Sequence, residues 1–399
     1  MNNIPVKNKI SFENTEIAFS SKSNFNLKKT YWLFYFMNLN WLVKIGTAAI
    51  NFAFKIYLPI KPIVKNTIFS QFCGGENIED CENSIKKLSQ YHIGTILDYS
   101  VEGEKSEKNF DETAKELLLT IEKAAKMRME IPFSVFKVTG VADFDLLEKI
   151  QDKKKLSDSE EISWEKAKQR VKSICQLAYD KKVRVFIDAE ESWIQGTIDA
   201  LVDEMMRLYN KEQAIVYNTY QMYAKASLQN LKNDFEKAEK DNFIVGAKLV
   251  RGAYMEKETK RAEEKKYPNP IQNTKQDSDD AYNQSLLFCV QNRHRFAICA
   301  GTHNEESSLY LVDLMQNYKI LPNDTRFFFA QLYGMSDHIS YNLAQAGYNV
   351  AKYVPYGPVK SVLPYLFRRA NENTSVKGQS SREFNLIKQE VKRRKSIKK

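Results

Sequence analysis

Val183-Arg184-Val185-Phe186-Ile187-Asp188 is a short run, rich in β-branched side chains, that stops on a carboxylate. A run this short and this apolar suits a strand buried between helices, as in parallel sheets. Seven others like it stand along the chain. Before it come Gly94-Thr95-Ile96-Leu97-Asp98-Tyr99 and Phe133-Ser134-Val135-Phe136-Lys137-Val138. After it come Ala214-Ile215-Val216-Tyr217-Asn218-Thr219, Val245-Gly246-Ala247-Lys248-Leu249-Val250 and Phe296-Ala297-Ile298-Cys299-Ala300-Gly301. Arg326-Phe327-Phe328-Phe329-Ala330 and Asn349-Val350-Ala351-Lys352-Tyr353-Val354 complete the set. Longer amphipathic stretches separate them, among them Thr113–Lys126, Ile198–Tyr209 and Ser307–Asn317. This alternation predicts an α/β protein built as a closed (β/α)8 barrel of the TIM type. No GxGxxG follows any of the runs, so an open dinucleotide-binding sheet has no support.

In such a barrel the chemistry lies at the C-terminal ends of the strands, where the loops converge. Asp98 and Glu102, Lys137 and Thr139, Asp188 and Glu190, Gln221, Lys248 and Arg251, His303 and Tyr353 all fall at or near those ends. Lys137 and Asp188 are expected on adjacent strands, where pairing would offset the cost of burying either charge alone. The eighth run stops at Pro355-Tyr356-Gly357-Pro358 and leads into Tyr365-Leu366-Phe367-Arg368-Arg369-Ala370-Asn371-Glu372-Asn373. As a helix, this segment places Tyr365, Arg368, Arg369 and Glu372 on overlapping faces. Two neighbouring guanidiniums repel unless an anion lies across them, and their planar forks suit a carboxylate. The mouth therefore predicts a small anionic ligand that also carries a cationic or ring nitrogen.

The chain has 399 residues, 43% of them hydrophobic, enough for a large core. Its five cysteines form neither a CxxC pair nor a metal-ligand spacing with the four histidines, so a reducing compartment is expected, with no metal site and no disulfide framework. The net charge is +10, but nine basic and only two acidic residues lie between Lys377 and Lys399. With the rest nearly balanced, no nucleic-acid groove is expected. The C-terminal stretch reads as a solvated tail or a weak attachment to anionic surfaces. Residues 1–30 lack the order of a signal peptide, which argues against secretion. Tyr31–Leu58 is apolar and aromatic, but Asn38, Asn40, Lys44, Asn51 and Lys55 break it below the about 20 apolar residues that a bilayer span needs. A packed helical arm is expected, with contact at a membrane surface as the second reading. The organisation read from the chain is an arm over 1–90, a barrel over 91–376 and a basic tail over 377–399.

Taken together, Lys248-Leu249-Val250-Arg251-Gly252-Ala253-Tyr254, Gly301-Thr302-His303-Asn304, Lys352-Tyr353-Val354-Pro355-Tyr356-Gly357 and Tyr365-Leu366-Phe367-Arg368-Arg369 with Glu372-Asn373 resemble the proline dehydrogenase family, monofunctional type. Phe72-Cys73-Gly74-Gly75-Glu76, Phe186-Ile187-Asp188-Ala189-Glu190 and Tyr267-Pro268-Asn269-Pro270-Ile271 add to the match, which covers about residues 60–376 in order. The resemblance implies a distorted barrel that holds FAD non-covalently and oxidises L-proline to Δ1-pyrroline-5-carboxylate, the first step of proline catabolism to glutamate. It implies transfer of the electrons to a membrane quinone, and a cytoplasmic protein at the inner face of the membrane. By motif, Arg368 and Arg369 would grip the proline carboxylate, Tyr353 and Tyr365 would wall its ring, and Lys137 and Asp188 would form an ion pair opposite. Gln221, Lys248, Val250, Arg251, Gly252, Ala253, Thr302, His303 and Glu372 would hold the flavin. Lys248 departs from members with arginine near the flavin N5; the charge is kept and the planar fork is lost.

Two other readings stand beside this one. A Schiff-base barrel would use Lys137 or Lys248 on a carbonyl substrate, but leaves the arginine pair unexplained. A non-catalytic membrane scaffold would work through the aromatic arm and basic tail. A flavin spectrum separates all three. The polar, turn-rich segment between Tyr254 and Ala281, too broken for one helix, is expected to act as a lid over the mouth.

Overall fold

The computed structural model describes residues 10–100, 106–375 and 379–397, with all their side chains except those of 40, 372–375 and 379–381. The N-terminal part is helical: α1 (Thr15–Ala18), α2 (Asn24–Met37), α3 (Asn40–Lys55), α4 (Lys61–Val64), α5 (Ser70–Phe72) and α6 (Glu82–Ser89). The strands follow as β1 (Ile93–Tyr99), β2 (Phe133–Lys137), β3 (Arg184–Asp188), β4 (Val216–Gln221), β5 (Val245–Val250), β6 (Phe296–Gly301), β7 (Phe327–Leu332) and β8 (Val350–Tyr356). Between them run α7 (Glu107–Lys126), α8 (Phe144–Gln151), α9 (Asp158–Asp180), α10 (Ser192–Tyr209) and α11 (Ser227–Asp241). The fifth connection holds both α12 (Met255–Lys265) and α13 (Lys275–Gln291), and α14 (Glu305–Asn317) and α15 (Asp337–Gln345) come next. Two helices follow β8, namely α16 (Leu363–Ser375) and α17 (Gln379–Ser396).

All eight apolar runs become strands, parallel throughout, and they close in chain order with β8 on β1. Side chains on each strand alternate between the helical ring and the barrel interior. On β3, Val185 and Ile187 pack outward, whereas Phe186 joins Phe133, Tyr217 and Tyr353 inside. The interior is thus filled by aromatic rings, with Phe133 and Phe186 stacked at 4.3 Å. Gly246 makes room there, since a Cβ at this position would meet the Tyr217 ring at 2.7 Å. Local sequence sets the helix starts. Ser157 and Glu160 cap α9 reciprocally, and Thr274 and Asp277 do the same for α13, so the segment beyond Tyr254 resolves into two helices joined by a turn.

A second apolar core joins the arm to the end of the chain. Leu27, Phe34 and Val43 from the arm pack with Leu363 and Leu366 of α16 and with Leu386 and Ile387 of α17. The expectation of a solvated basic tail is corrected here. Glu383, Leu386, Ile387 and Glu390 lie three, four and seven positions along one face of α17, and all four are buried. Glu390 accepts from Thr15 of the arm and from Arg393 and Arg394, while Arg394 also donates to the Phe19 and Lys22 carbonyls. Arg382, Arg393 and Arg394 thus tie α17 to the arm and to α14, while Lys388, Lys392 and Lys395 stay exposed. At the arm's other end, the Gly74 amide donates to Pro355 O at 2.8 Å and Gly357 donates to Gly75 O, so the two glycines run beside the end of β8.

Candidate active site

Because the strands are parallel, Lys137, Asp188, Gln221, Val250 and Gly301 end β2 to β6 on one rim. Asp188 and Lys248 both point inward by strand parity, and Lys248, two residues below the end of β5, reaches up to it. Its ammonium forms an ion pair with Asp188 and donates to the Tyr353 hydroxyl at 2.7 Å. The same ammonium lies 4.7 Å from the centroid of the Tyr353 ring and 5.4 Å from that of Phe186. Register does align Lys137 with Asp188, as the sequence suggests. Among the described residues, the ion pair of Asp188 is with Lys248, from two strands away across the interior, a contact that strand order does not suggest. The charge of Lys137 also bears on Asp98 and Glu190, holding both carboxyls lower than burial alone would.

The loops after β4, β5 and β6 form the adjoining part of the rim. Gln221 accepts from the Ala253 amide at 3.1 Å and donates to Glu190 O at 2.8 Å, fixing both ends of its amide. Gly252 sits between at φ +133°, and a Cβ there would lie 1.7 Å from Tyr223. Gly252→Ala is therefore expected to displace this loop and lower the melting temperature by roughly 5 °C or more, since φ > 0 strain and a clash act together. Unchanged melting would show that the Tyr223 ring moves aside freely. Arg251 is spread across Asp279 at 2.5 Å, Thr302 at 2.7 Å and Ser307 at 2.9 Å. His303 meets Ser336 Oγ at 2.8 Å, and Ser336 is held at φ +50° by a turn whose amide donates to Glu383 of α17. On α16, Arg369 is buried with its guanidinium 5.0 Å from the Tyr365 ring, and Arg368 is half-buried beside it. Glu372 also lies on α16, but its side chain, like all of Glu102, is outside the described residues.

Burial tunes the groups around the mouth. It pushes the His303 imidazole down to about 3, with Lys352 and Arg369 adding their repulsion, so the ring is neutral at physiological pH. Burial raises the Asp98 carboxyl, with Asp188 adding to it, and raises the Tyr353 phenol, which stays protonated. Glu190 is pushed up by burial to about 7, although the Thr139 amide and hydroxyl both donate to it. A raised folded pKa means stability present below the unfolded value of 4.5 and lost as pH climbs through about 7. Melting of the wild type should therefore fall relative to Glu190→Gln across that window, by roughly 3 kcal/mol at most. Parallel melting curves would place the Glu190 proton elsewhere.

Sequence reasoning reached the rim but missed its supports. Asp279 clamps Arg251, and Glu258 of α12, nearly fully buried, accepts from the Ser192 amide and hydroxyl at 2.6 Å each. Lys352 points outward from β8 and pairs with Asp337 at 3.0 Å beneath the Ser336 turn. The signal available for that pair was strand parity, which sends Lys352 away from the site that Tyr353 faces.

The fold and its polar rim define a (β/α)8 enzyme with a cationic mouth. The family model described as Proline dehydrogenase matches residues 81–382. Mitochondrial proline dehydrogenase 1 of Dictyostelium discoideum is 34% identical over 97% of this chain and 75% of its own length. The carbapenem antibiotics biosynthesis protein CarD of Pectobacterium carotovorum subsp. carotovorum is 34% identical over 82% of this chain and 84% of its own. The chain belongs to the proline dehydrogenase family, and is an oxidoreductase. Among solved structures, proline utilization A of Bdellovibrio bacteriovorus superposes with a TM-score of 0.71 at 20% identity, over 92% of this chain and 37% of that one. The chain thus spans little more than a third of that larger protein, and the likeness concerns the fold.

Proposed function

We propose that this protein is a FAD-dependent proline dehydrogenase that oxidises L-proline to Δ1-pyrroline-5-carboxylate and passes the electrons to a membrane quinone from the cytoplasmic side. The observation that carries the reading is the Lys248–Asp188–Tyr353 set, its lysine and tyrosine buried and its carboxylate half-buried, at the mouth of a barrel whose family is proline dehydrogenase. The donor set fits the cofactor. Arg251 and Lys248 would supply cations to the anionic parts of the cofactor, His303 would be a neutral partner, and the Gln221–Ala253 loop would offer a fixed backbone edge. FAD, when bound, supplies the two-electron acceptor for the hydride that leaves carbon 5 of proline as the nitrogen gives up its proton.

The chain's own residues do the rest. Arg368 and Arg369 take the carboxylate with planar forks and fix which ring carbon faces the acceptor, an orientational gain worth several kcal/mol, with about 7 to 11 as the ceiling. Tyr353 and Tyr365 wall the ring, and the hydrogen bond from Lys248 holds the Tyr353 phenol in place. Lys137, Val250, Gly252, Thr302 and Glu372 would complete the contacts to proline and flavin. The α12 segment closes over the mouth and keeps water out during turnover. The test is proline-dependent reduction of a soluble dye by FAD-loaded protein, with trapping of the cyclic imine by o-aminobenzaldehyde. Dye reduction and imine should appear together. A borohydride-trapped lysine adduct with a carbonyl substrate, and no imine, would overturn the reading in favour of Schiff-base chemistry.

A further inference from the structure

The arm leaves an apolar face uncovered. Trp41, Ile45, Phe52 and Ile56 recur at offsets of four, seven and four, so one stripe runs along α3, and they are 62, 59, 62 and 47% exposed. The opposite side of α3 is apolar too, with Val43 buried and Ile50 and Phe54 packed into the second core beside α16. A helix with two apolar faces of which only one is packed leaves the other for a partner or a membrane. Tyr57, Leu58 and Ile63 prolong the exposed surface directly beyond the helix.

Charge decides what covers it. From Ile17 to Gly75 the chain has no Asp or Glu and seven lysines. Lys22 pairs with Asp337, and Lys61 and Lys65 pair with Glu76. Lys44 and Lys55 are exposed, and at offsets of three from Trp41 and Phe52 they flank the same edge of the stripe three turns apart. A second copy docking here by two-fold symmetry would bring like charges together over the same patch. An aromatic stripe with a lysine rim and no acid matches the interface of an anionic bilayer, where tryptophan and lysine sit at headgroup level. Among the described residues no helix is long and apolar enough to cross a membrane. The basic C-terminal helix is a poorer candidate, because Arg382, Arg393 and Arg394 are committed to Glu13, Glu305, Glu16 and Glu390.

We propose that the outer face of α3, with its lysine rim, docks the protein on the surface of an anionic lipid bilayer. The purpose, bringing the arginine helix packed behind α3 close to a membrane quinone, rests on the function proposed above; the surface argument does not. The test is flotation of the full chain with vesicles of phosphatidylcholine alone or mixed with phosphatidylglycerol, alongside dye-linked proline turnover and size-exclusion chromatography. Wild type should float with the mixed vesicles and weakly with the neutral ones. Trp41→Ser with Phe52→Ser should lose roughly tenfold or more of the bound fraction on both, and Lys44→Glu with Lys55→Glu should lose it on the anionic vesicles. All should keep dye-linked turnover, because these side chains point away from the barrel. Equal flotation of wild type and both variants would overturn the proposal. So would a wild-type dimer that the aromatic variant converts to monomer without any flotation. Flotation as described with no turnover in any protein would leave the docking face standing and remove the proline reading instead.

Discussion

Arg369→Lys is expected to raise the KM for L-proline roughly 10- to 100-fold while flavin content stays near that of the wild type. The guanidinium is buried and stacked 5.0 Å from the Tyr365 ring, so a lysine there keeps the charge and loses both the fork and the stacking. Charge-assisted hydrogen bonds are worth about 1.5 to 3 kcal/mol, which sets the range. Arg368→Lys should act in the same direction. Glu372→Ala should do the reverse, lowering flavin occupancy more than proline binding, if its carboxylate accepts from ribose hydroxyls. Flavin absorbance per protein and proline KM on the same three variants decide the matter. An arginine variant that sheds flavin yet keeps its KM breaks the proposed division of labour on α16.

The second large effect is at Lys248. Lys248→Met removes the ammonium that pairs with Asp188 and donates to Tyr353, and leaves a carboxylate in the barrel mouth without that partner. Breaking one side of a fully buried pair costs about 3 to 5 kcal/mol, and the partial exposure of Asp188 puts the loss at or below the lower end of that range. Denaturant unfolding should register that loss, and kcat/KM for proline should fall by roughly 100-fold or more, since the ring wall formed by Tyr353 loses its anchor. Adding Asp188→Asn to Lys248→Met should restore most of the stability and little of the activity. Additive stability losses in the double variant would mean that the two side chains do not act as a unit.

These expectations draw unequally on sequence and structure. The eight strands were legible because each is a short apolar run with a clear helical spacer, and α16 was legible because it follows the Pro355-Tyr356-Gly357-Pro358 break after the eighth run. The partner of Asp188 was not. Neighbouring strands can be read from chain order, which favours Lys137, but Lys248 reaches Asp188 across the interior, and that distance depends on which rings fill the barrel below. The C-terminal helix misled for a different reason. Its net charge suggests a solvated tail, but Glu383 and Glu390 share a face with Leu386 and Ile387, and their partners lie far away in the chain at Ser336 and Thr15. The stripe on α3 was visible as aromatic content, yet its direction was not, because both faces of that helix are apolar and only packing shows which is covered.

The most direct measurement is the visible absorption of the purified, FAD-loaded protein under anaerobic conditions, before and after L-proline. The account predicts a bound flavin whose absorption bleaches with proline in the wild type, and that needs far more proline to bleach in Arg369→Lys. A protein that does not retain FAD, or a bound flavin whose spectrum proline leaves unchanged at any concentration, would contradict it.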